Sequence, residues 1–384
     1  MYKRQHVDKG NQQLDIVLRE GVELSEVNVV TRKLGTMKLR TSVMNEDMIS
    51  SAELTRAACC NLGESFVTNP SVDVSYSDAA TGAKQIKLLG LSGTYVQMMT
   101  ENIPNFRGAA APYGLGYVPG PWMQSIQVSK GSSSVKNGYE SITGQINVEF
   151  KKPQLPEADW VSANLFASST NRYEANADAT VKLSKRWSTS LLAHYENETK
   201  SHDSNDDGFV DIPRVEQYNV WNRWAYMGDH YVFQAGIKAL HETRNSGQIA
   251  HRNTPSHDLY EIGIKTNRYE AFTKNAYIFD KEKNTNLALI LQGTLHNQDA
   301  NYGRKLYDVD QSNFYASLLF ETELSKQHSL SAGLSFNYDG YDQNYRLTNQ
   351  AEEGLTKKFV KESVPGAYVQ YTFLSLIHIS EPTR

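Results

Sequence analysis

From residue 160 onward, hydrophobic and polar residues alternate with period two in one segment after another. Tyr173, Ala175, Ala177, Ala179, Val181 and Leu183 share one face; Glu174, Asn176, Asp178, Thr180, Lys182 and Ser184 share the other. Successive side chains of a strand point to opposite sides, so this is a strand with one apolar and one polar face. Leu330, Ala332, Leu334, Phe336 and Tyr338 repeat the split against Ser329, Ser331, Gly333, Ser335, Asn337 and Asp339. The pattern predicts about ten strands of about 10 to 14 residues, long enough to cross a bilayer at a tilt.

The connections are asymmetric. Short turns at Lys185-Arg186, Gly228-Asp229-His230, Asp280 to Asn284 and Ser325 to His328 alternate with long polar loops over 199–214, 243–265, 298–312 and 341–364. Tight turns at one end and long loops at the other are the mark of an outer-membrane barrel. Trp160 and Trp187 fall near strand ends, where an interfacial girdle of aromatic residues would lie.

Composition agrees. Among 384 residues, 39 basic side chains face 43 acidic ones, which gives no general affinity for nucleic acid. The 22 Tyr outnumber 13 Phe and 5 Trp, as suits surfaces that meet both apolar and wet surroundings. No uncharged apolar run approaches the roughly 20 residues of a membrane-spanning helix, a test to which a barrel of alternating strands is blind. Cys59 and Cys60 are adjacent and cannot close an ordinary disulfide loop; they read as half-buried thiols, with a soft-metal role as the alternative.

The first 150 residues differ, with scattered glycines, short strands and a helical pattern around Glu46 to Leu62. They form a separate domain. Residues 1–22 read as the remnant of an N-terminal carboxypeptidase-regulatory-like β-sandwich, followed by an extended linker to residue 40. "MYKRQ" at the start and "SLIHISEPTR" at the end resemble translated sequencing adapter, so 375–384 is expected to be artefactual and the chain to be an internal piece of a longer protein.

Two stretches carry a resemblance. "LLGLSGTYVQMMTENIP", from Leu88, and "GLGYVPGPWMQSIQVSKGSSSVKNGYESITGQINVEFKKP", ending at Pro153, are similar to the plug domain of TonB-dependent outer-membrane receptors. The resemblance implies a mainly β fold: an α+β plug domain over 41–153, then an incomplete antiparallel transmembrane β-barrel over 154–374. It also implies that the polar middle between Lys130 and Gly144 forms plug turns, and that the TonB energy-coupling complex is a partner. "SEVNVV", Ser25, Glu26, Val27, Asn28, Val29 and Val30, stands where the family carries its TonB box, an extended segment that a partner grips by strand addition. Glycan importers of the family usually carry "KDASA" and an "AANGVILI"-like ending. "SKGSSSVKNGYESITGQINV" is instead nearer to receptors for metal chelates and cobalamin, and "QMMTENIP" replaces the usual aliphatic-Asp-Gly-Val-Pro turn.

Candidate sites follow. Met98, Met99, Glu101 and Asn102 lie on the plug turn expected to face the outer vestibule, where thioethers and a carboxylate suit a soft metal or an apolar chelate; the alternative is packing beneath the turn. In "DSNDDGFVDIP", Asp203, Asn205 and Asp207 take positions 1, 3 and 5 of a calcium loop. Gly208 sits at the turn, the Phe209 carbonyl at 7 and Asp211 at 9, while Arg214 replaces the final glutamate. The expectation is a structural Ca2+ that stiffens the loop, against a solvated acidic loop. His194, His202, His241, His251 and His257 collect toward the long-loop end without ligand spacing, and Tyr302, Tyr307 and Tyr345 are placed to stack on a planar ligand.

No nucleophile elbow, Cys/His cluster or phosphate loop stands out, and "SKGSSS" lacks the Gly-Lys-Ser/Thr ending of one, so the chain reads as a non-enzyme. The resemblance implies import of a scarce solute, a ferric siderophore, cobalamin or other metal complex, with no required cofactor. A glycan importer of the same fold and a β-rich surface-binding or adhesion protein are the alternatives.

Overall fold

The computed structural model describes residues 36–38, 46–56, 60–67, 69, 72–91, 93–131, 134–153, 161–249, 259–325, 327–348 and 356–374. The sandwich remnant over 1–22, the segment Ser25 to Val30, Cys59, Trp160, His251, His257 and the tail over 375–384 lie outside the described residues.

The N-terminal domain is built on a six-stranded sheet. Its strands are β1 (Thr36–Lys38), β2 (Glu46–Ser50), β5 (Val96–Thr100), β6 (Ile103–Pro104), β7 (Met123–Lys130) and β8 (Gly144–Phe150), in the order β1-β2-β7-β8-β5-β6. A separate hairpin joins β3 (Asp73–Asp78) to β4 (Ala83–Lys87). The helical pattern around Glu46 to Leu62 shrinks to one short helix, α1 (Ser51–Arg56), and a 3-10 turn at Leu62–Phe66. Glu46–Ser50 is instead a strand, because Asp47 and Ile49 are buried alternately against β7, and pairing there overrides local propensity.

β8 lies between β7 and β5, antiparallel to the first and parallel to the second, and is buried almost throughout. Two glycines at positive φ, Gly131 and Gly138, turn the chain between β7 and β8. Gly144 opens β8 because a Cβ there would stand 2.4 Å from the Ser129 carbonyl oxygen and 2.8 Å from Leu88 Cδ1.

The second part is an uninterrupted antiparallel meander of ten strands: β9 (Val161–Ala167), β10 (Arg172–Lys182), β11 (Trp187–Glu198), β12 (Arg214–Met227), β13 (Tyr231–Gly247), β14 (Glu261–Asp280), β15 (Thr285–Tyr302), β16 (Lys305–Ser325), β17 (His328–Leu347) and β18 (Thr356–Phe373). The predicted faces hold: Tyr173, Val181 and Leu334 are exposed on the outside, while Glu174, Asn176 and Asp339 are buried against the inner domain.

Strand lengths depart from expectation. β14, β16 and β17 run to 20, 21 and 20 residues, which at a tilt of about 40° span about 50 Å, twice the apolar band of about 25 Å. The long loop expected over 298–312 is a two-residue turn at Gly303-Arg304, since Asn301 still pairs with Leu306. Asn297, Asp299, Asp308 and Asp310 put polar side chains on the outward face as well, which erases the alternation while the backbone ladder continues.

Aromatic residues cluster at two levels of the outward face. Trp187 packs on Tyr226 at 5.1 Å and Phe233 at 6.1 Å near the short turns, and Tyr195 packs on Tyr218 at 4.9 Å eight positions higher on β11 and β12. Eight residues of tilted strand rise about 20 Å, comparable to the apolar band.

One apolar core joins the two parts. Trp122, Ile126, Val128, Ile146, Val148 and Phe150 of the inner domain meet Leu192, Trp221, Leu240, Ile262 and Ile264 of the wall. Phe150 sits edge-on to Trp221 at 4.7 Å.

Candidate functional site

The inner face of the wall is a field of buried hydrogen-bond donors aimed at the inner domain's backbone. Lys238 Nζ and Asn219 Nδ2 donate to the Tyr117 carbonyl at 3.2 and 3.0 Å, and Gln217 Nε2 donates to the Gly116 carbonyl at 3.2 Å. Arg223 Nη1 donates to the Lys151 carbonyl at 2.7 Å, Arg244 Nη1 to the Thr81 carbonyl at 3.1 Å and Lys274 Nζ to the Glu101 carbonyl at 2.6 Å. Charged side chains add further contacts. Arg107 bridges Glu140 at 2.5 Å and Asp339 at 2.8 Å, Arg268 donates to Asn105 Oδ1 at 2.6 Å, and Lys136 meets Glu321 at 3.3 Å.

Such an interface is specific without being permanent. Each contact leaves a group that water can satisfy if the parts separate, whereas an all-apolar seam would resist wetting. These donors carry a weak sequence signal: Arg223, Lys238, Arg244, Arg268 and Lys274 are the basic residues on the inward face of their strands, and period alone cannot say what they meet.

Met98, Met99, Glu101 and Asn102 occupy the β5–β6 hairpin, whose tip turns through positive φ at Glu101 and Asn102. Met99 is fully buried and Glu101 is 3 % exposed, ion-paired to Arg223 at 2.6 Å and Lys274 at 3.5 Å. Arg223 lies on the short-turn half of β12, so this tip sits deep in the wall rather than at its long-loop end. Burial alone would raise the Glu101 carboxyl, yet Arg223 and Lys274 hold it below its ordinary range. Met98, partly buried, lines a cavity of about 580 Å³ with Lys84, Phe106, Arg107, Tyr139 and Tyr341.

Asp203, Asn205, Asp207 and Asp211 turn their oxygens onto the loop's own amides. Asp203 accepts from the amides of Asp207 and Gly208 at 3.1 and 2.9 Å, Asp207 from Phe209 at 2.8 Å, and Asp211 from Ser204 at 2.7 Å. Gly208 has φ of 83°, as the turn requires. Among the described residues no group of three or more His, Cys, Asp or Glu side chains is arranged to hold a metal ion. His194 is buried on Asn176, and His241 on the outer face bonds Asn267. Cys60 is buried, its thiol pushed up by burial and the Glu174 charge.

At the long-loop end, Glu64, Lys84, Arg172, Glu196, Gln217 and Arg244 line a cleft of about 300 Å³ between the two parts. Arg172 gathers three carboxylates, Glu64 at 2.9 Å, Glu174 at 2.7 Å and Glu196 at 2.9 Å.

With this geometry, residues 38–145 match the model of the TonB-dependent receptor plug domain. Over these residues the inner domain is similar to a TonB-dependent receptor plug. Solved structures of the same fold include the ferripyoverdine receptor of the Pseudomonas aeruginosa outer membrane bound to ferripyoverdine, at 13 % identity and TM-score 0.68, covering 87 % of this chain and 50 % of that one. The alcaligin outer-membrane receptor FauA of Bordetella pertussis aligns at 13 % identity and TM-score 0.69, covering 88 % and 55 %. The copper transporter OprC aligns at 12 % identity and TM-score 0.67, covering 89 % and 54 %. The chain thus spans about half the length of these structures. A comparison with curated proteins gives no match. The ten strands are the wall of the same fold, and the plug rests on their polar inner face.

Proposed function

We propose that the chain belongs to an outer-membrane transporter that imports a scarce solute, a ferric siderophore, cobalamin or other metal complex. The solute binds where plug loops and wall meet at the long-loop end, and the plug then shifts when the TonB complex pulls on Ser25 to Val30.

The carrying observation is the seam itself. Six wall side chains, Gln217, Asn219, Arg223, Lys238, Arg244 and Lys274, donate to plug carbonyls, so the plug is held by bonds that water can replace one at a time. Pulling a segment ahead of the plug loads those bonds in turn and avoids exposing the whole core at once. The resemblance to receptors whose names include pyoverdine, alcaligin and copper supports a metal-bearing solute.

Deleting Ser25 to Val30 from the complete receptor should abolish energised uptake of its solute and leave equilibrium binding at the cell surface intact. Uptake that continues at the wild-type rate would overturn the coupling assignment.

A further inference from the structure

The cleft at the long-loop end has a charge character that narrows the solute class, an inference that rests on the receptor reading above. Around the cleft stand five carboxylates, of Glu64, Glu174, Glu196, Glu198 and Glu242, against three cations, Lys84, Arg172 and Arg244. Each cation is already engaged. Arg172 holds Glu64, Glu174 and Glu196; Arg244 pairs with Glu242 at 3.0 Å; Lys84 stands 4.0 Å from Glu64 and 5.6 Å from the Tyr76 ring centre. His194 lies against Glu196 at 3.7 Å. Glu198 lines the cleft and has no ion-pair partner among the described residues.

A second observation points the same way. Gln217 lines the cleft, is 1 % exposed and spends its amide N–H groups on the Gly116 carbonyl and Glu242. Its Oε1 is buried without a hydrogen-bond partner, and a buried acceptor in that state gains from a donor brought by a ligand. The lip of the cleft is acidic too. Ile212 and Pro213 line it, and the loop over 199–213 that leads to them carries Asp203, Asp206, Asp207 and Asp211 against Lys200 alone.

We propose that this cleft receives the cationic, N–H-bearing part of a positively charged metal complex and disfavours anionic ones. The carboxylate excess draws cations toward the mouth, Glu198 supplies a free countercharge, and Gln217 Oε1 accepts from the bound donor. An anionic complex would find no uncommitted Arg or Lys in this cleft.

The test uses hexaamminecobalt(III), a trivalent cation with N–H donors, and tris(oxalato)ferrate(III), a trianion, against the complete receptor in detergent. Calorimetry should show saturable binding of the cobalt complex that weakens as salt rises, and anomalous diffraction should place cobalt between Glu198 and Gln217. Glu198→Lys should weaken that binding by about tenfold or more, and Glu198→Gln should weaken it less; an unchanged melting profile for either variant separates the effect from misfolding. No binding of the cobalt complex, cobalt found only outside the cleft, indifference to both substitutions, or equal binding of the oxalate trianion would each overturn the proposal. Energised uptake of an anionic complex through wild-type receptor would overturn the charge preference and leave the transport reading standing. Failure of every metal complex to show energised uptake would remove the transport reading but not the charge preference of the cleft.

Discussion

Arg223 and Glu101 lie 122 positions apart in the chain and 2.6 Å apart in space, both almost wholly buried. The guanidinium also reaches the Lys151 carbonyl at 2.7 Å, so one wall residue ties the β5–β6 hairpin to the exit of the plug. Replacing Arg223 with Met leaves Glu101 dependent on Lys274, and breaking a buried pair in this way should cost about 3–5 kcal/mol of stability. Arg223→Met combined with Glu101→Gln should cost clearly less than the sum of the two single changes in denaturant unfolding. Strict additivity would mean that the pair does not act as a unit.

Acid should loosen the same contact. The Glu101 carboxyl is held below its ordinary value of 4.5 by Arg223 and Lys274, despite burial. A depressed carboxyl contributes stability that is complete above the unfolded value and is lost as pH falls through the folded one. Plug protection measured by hydrogen exchange should therefore hold through neutral pH down to about 5 and decline below 4.5, with a shallower decline in Glu101→Gln.

Glu140 should behave with the opposite sign. Burial raises its carboxyl even though Arg107 stands beside it, so its protonated form favours the folded state and that benefit fades as pH rises through the raised value. Glu140→Gln should flatten a stability profile that otherwise falls with rising pH above 4.5, as read from thermal unfolding across pH. A profile identical to wild type would remove Glu140 from the account.

Gly144 is set by space. Ala there would press its methyl on the Ser129 carbonyl oxygen at 2.4 Å and Leu88 at 2.8 Å, and such overpacking should cost about 1–3 kcal/mol. Limited proteolysis should then cut between β7 and β8 faster than in wild type.

Leu191 lies on the outward face midway between Trp187 and Tyr195 and is 48 % exposed. Leu191→Arg should destabilise folding into lipid vesicles by about 2–4 kcal/mol. Asn197→Arg, on the same face but beyond the aromatic pair, should change it by less than about 1 kcal/mol.

Much of this architecture is legible in one sequence because the pattern of the outward face is local. Tyr173 to Leu183 declare their outer face residue by residue, and "GQINVEF" matches a strand that the fold buries between two neighbours. Where the outward face turns polar, the pattern fades, which is why 298–312 reads as a loop although the ladder runs on to the turn at Gly303-Arg304. Glu101 reads as a vestibule residue for a related reason: its turn is visible in the sequence, but its depth is not.

The sequence by itself determined the period-two strands, their outward face, the turns at the short end and the glycine-bearing connection before β8. These follow from steric and solvent preferences repeated along the chain. Only the tertiary structure decided that Arg223 meets Glu101, that wall donors meet plug carbonyls, and that Glu198 and Gln217 share one cleft. Those meetings depend on register across ten paired strands and on how deep the plug sits within them, and no single segment encodes either.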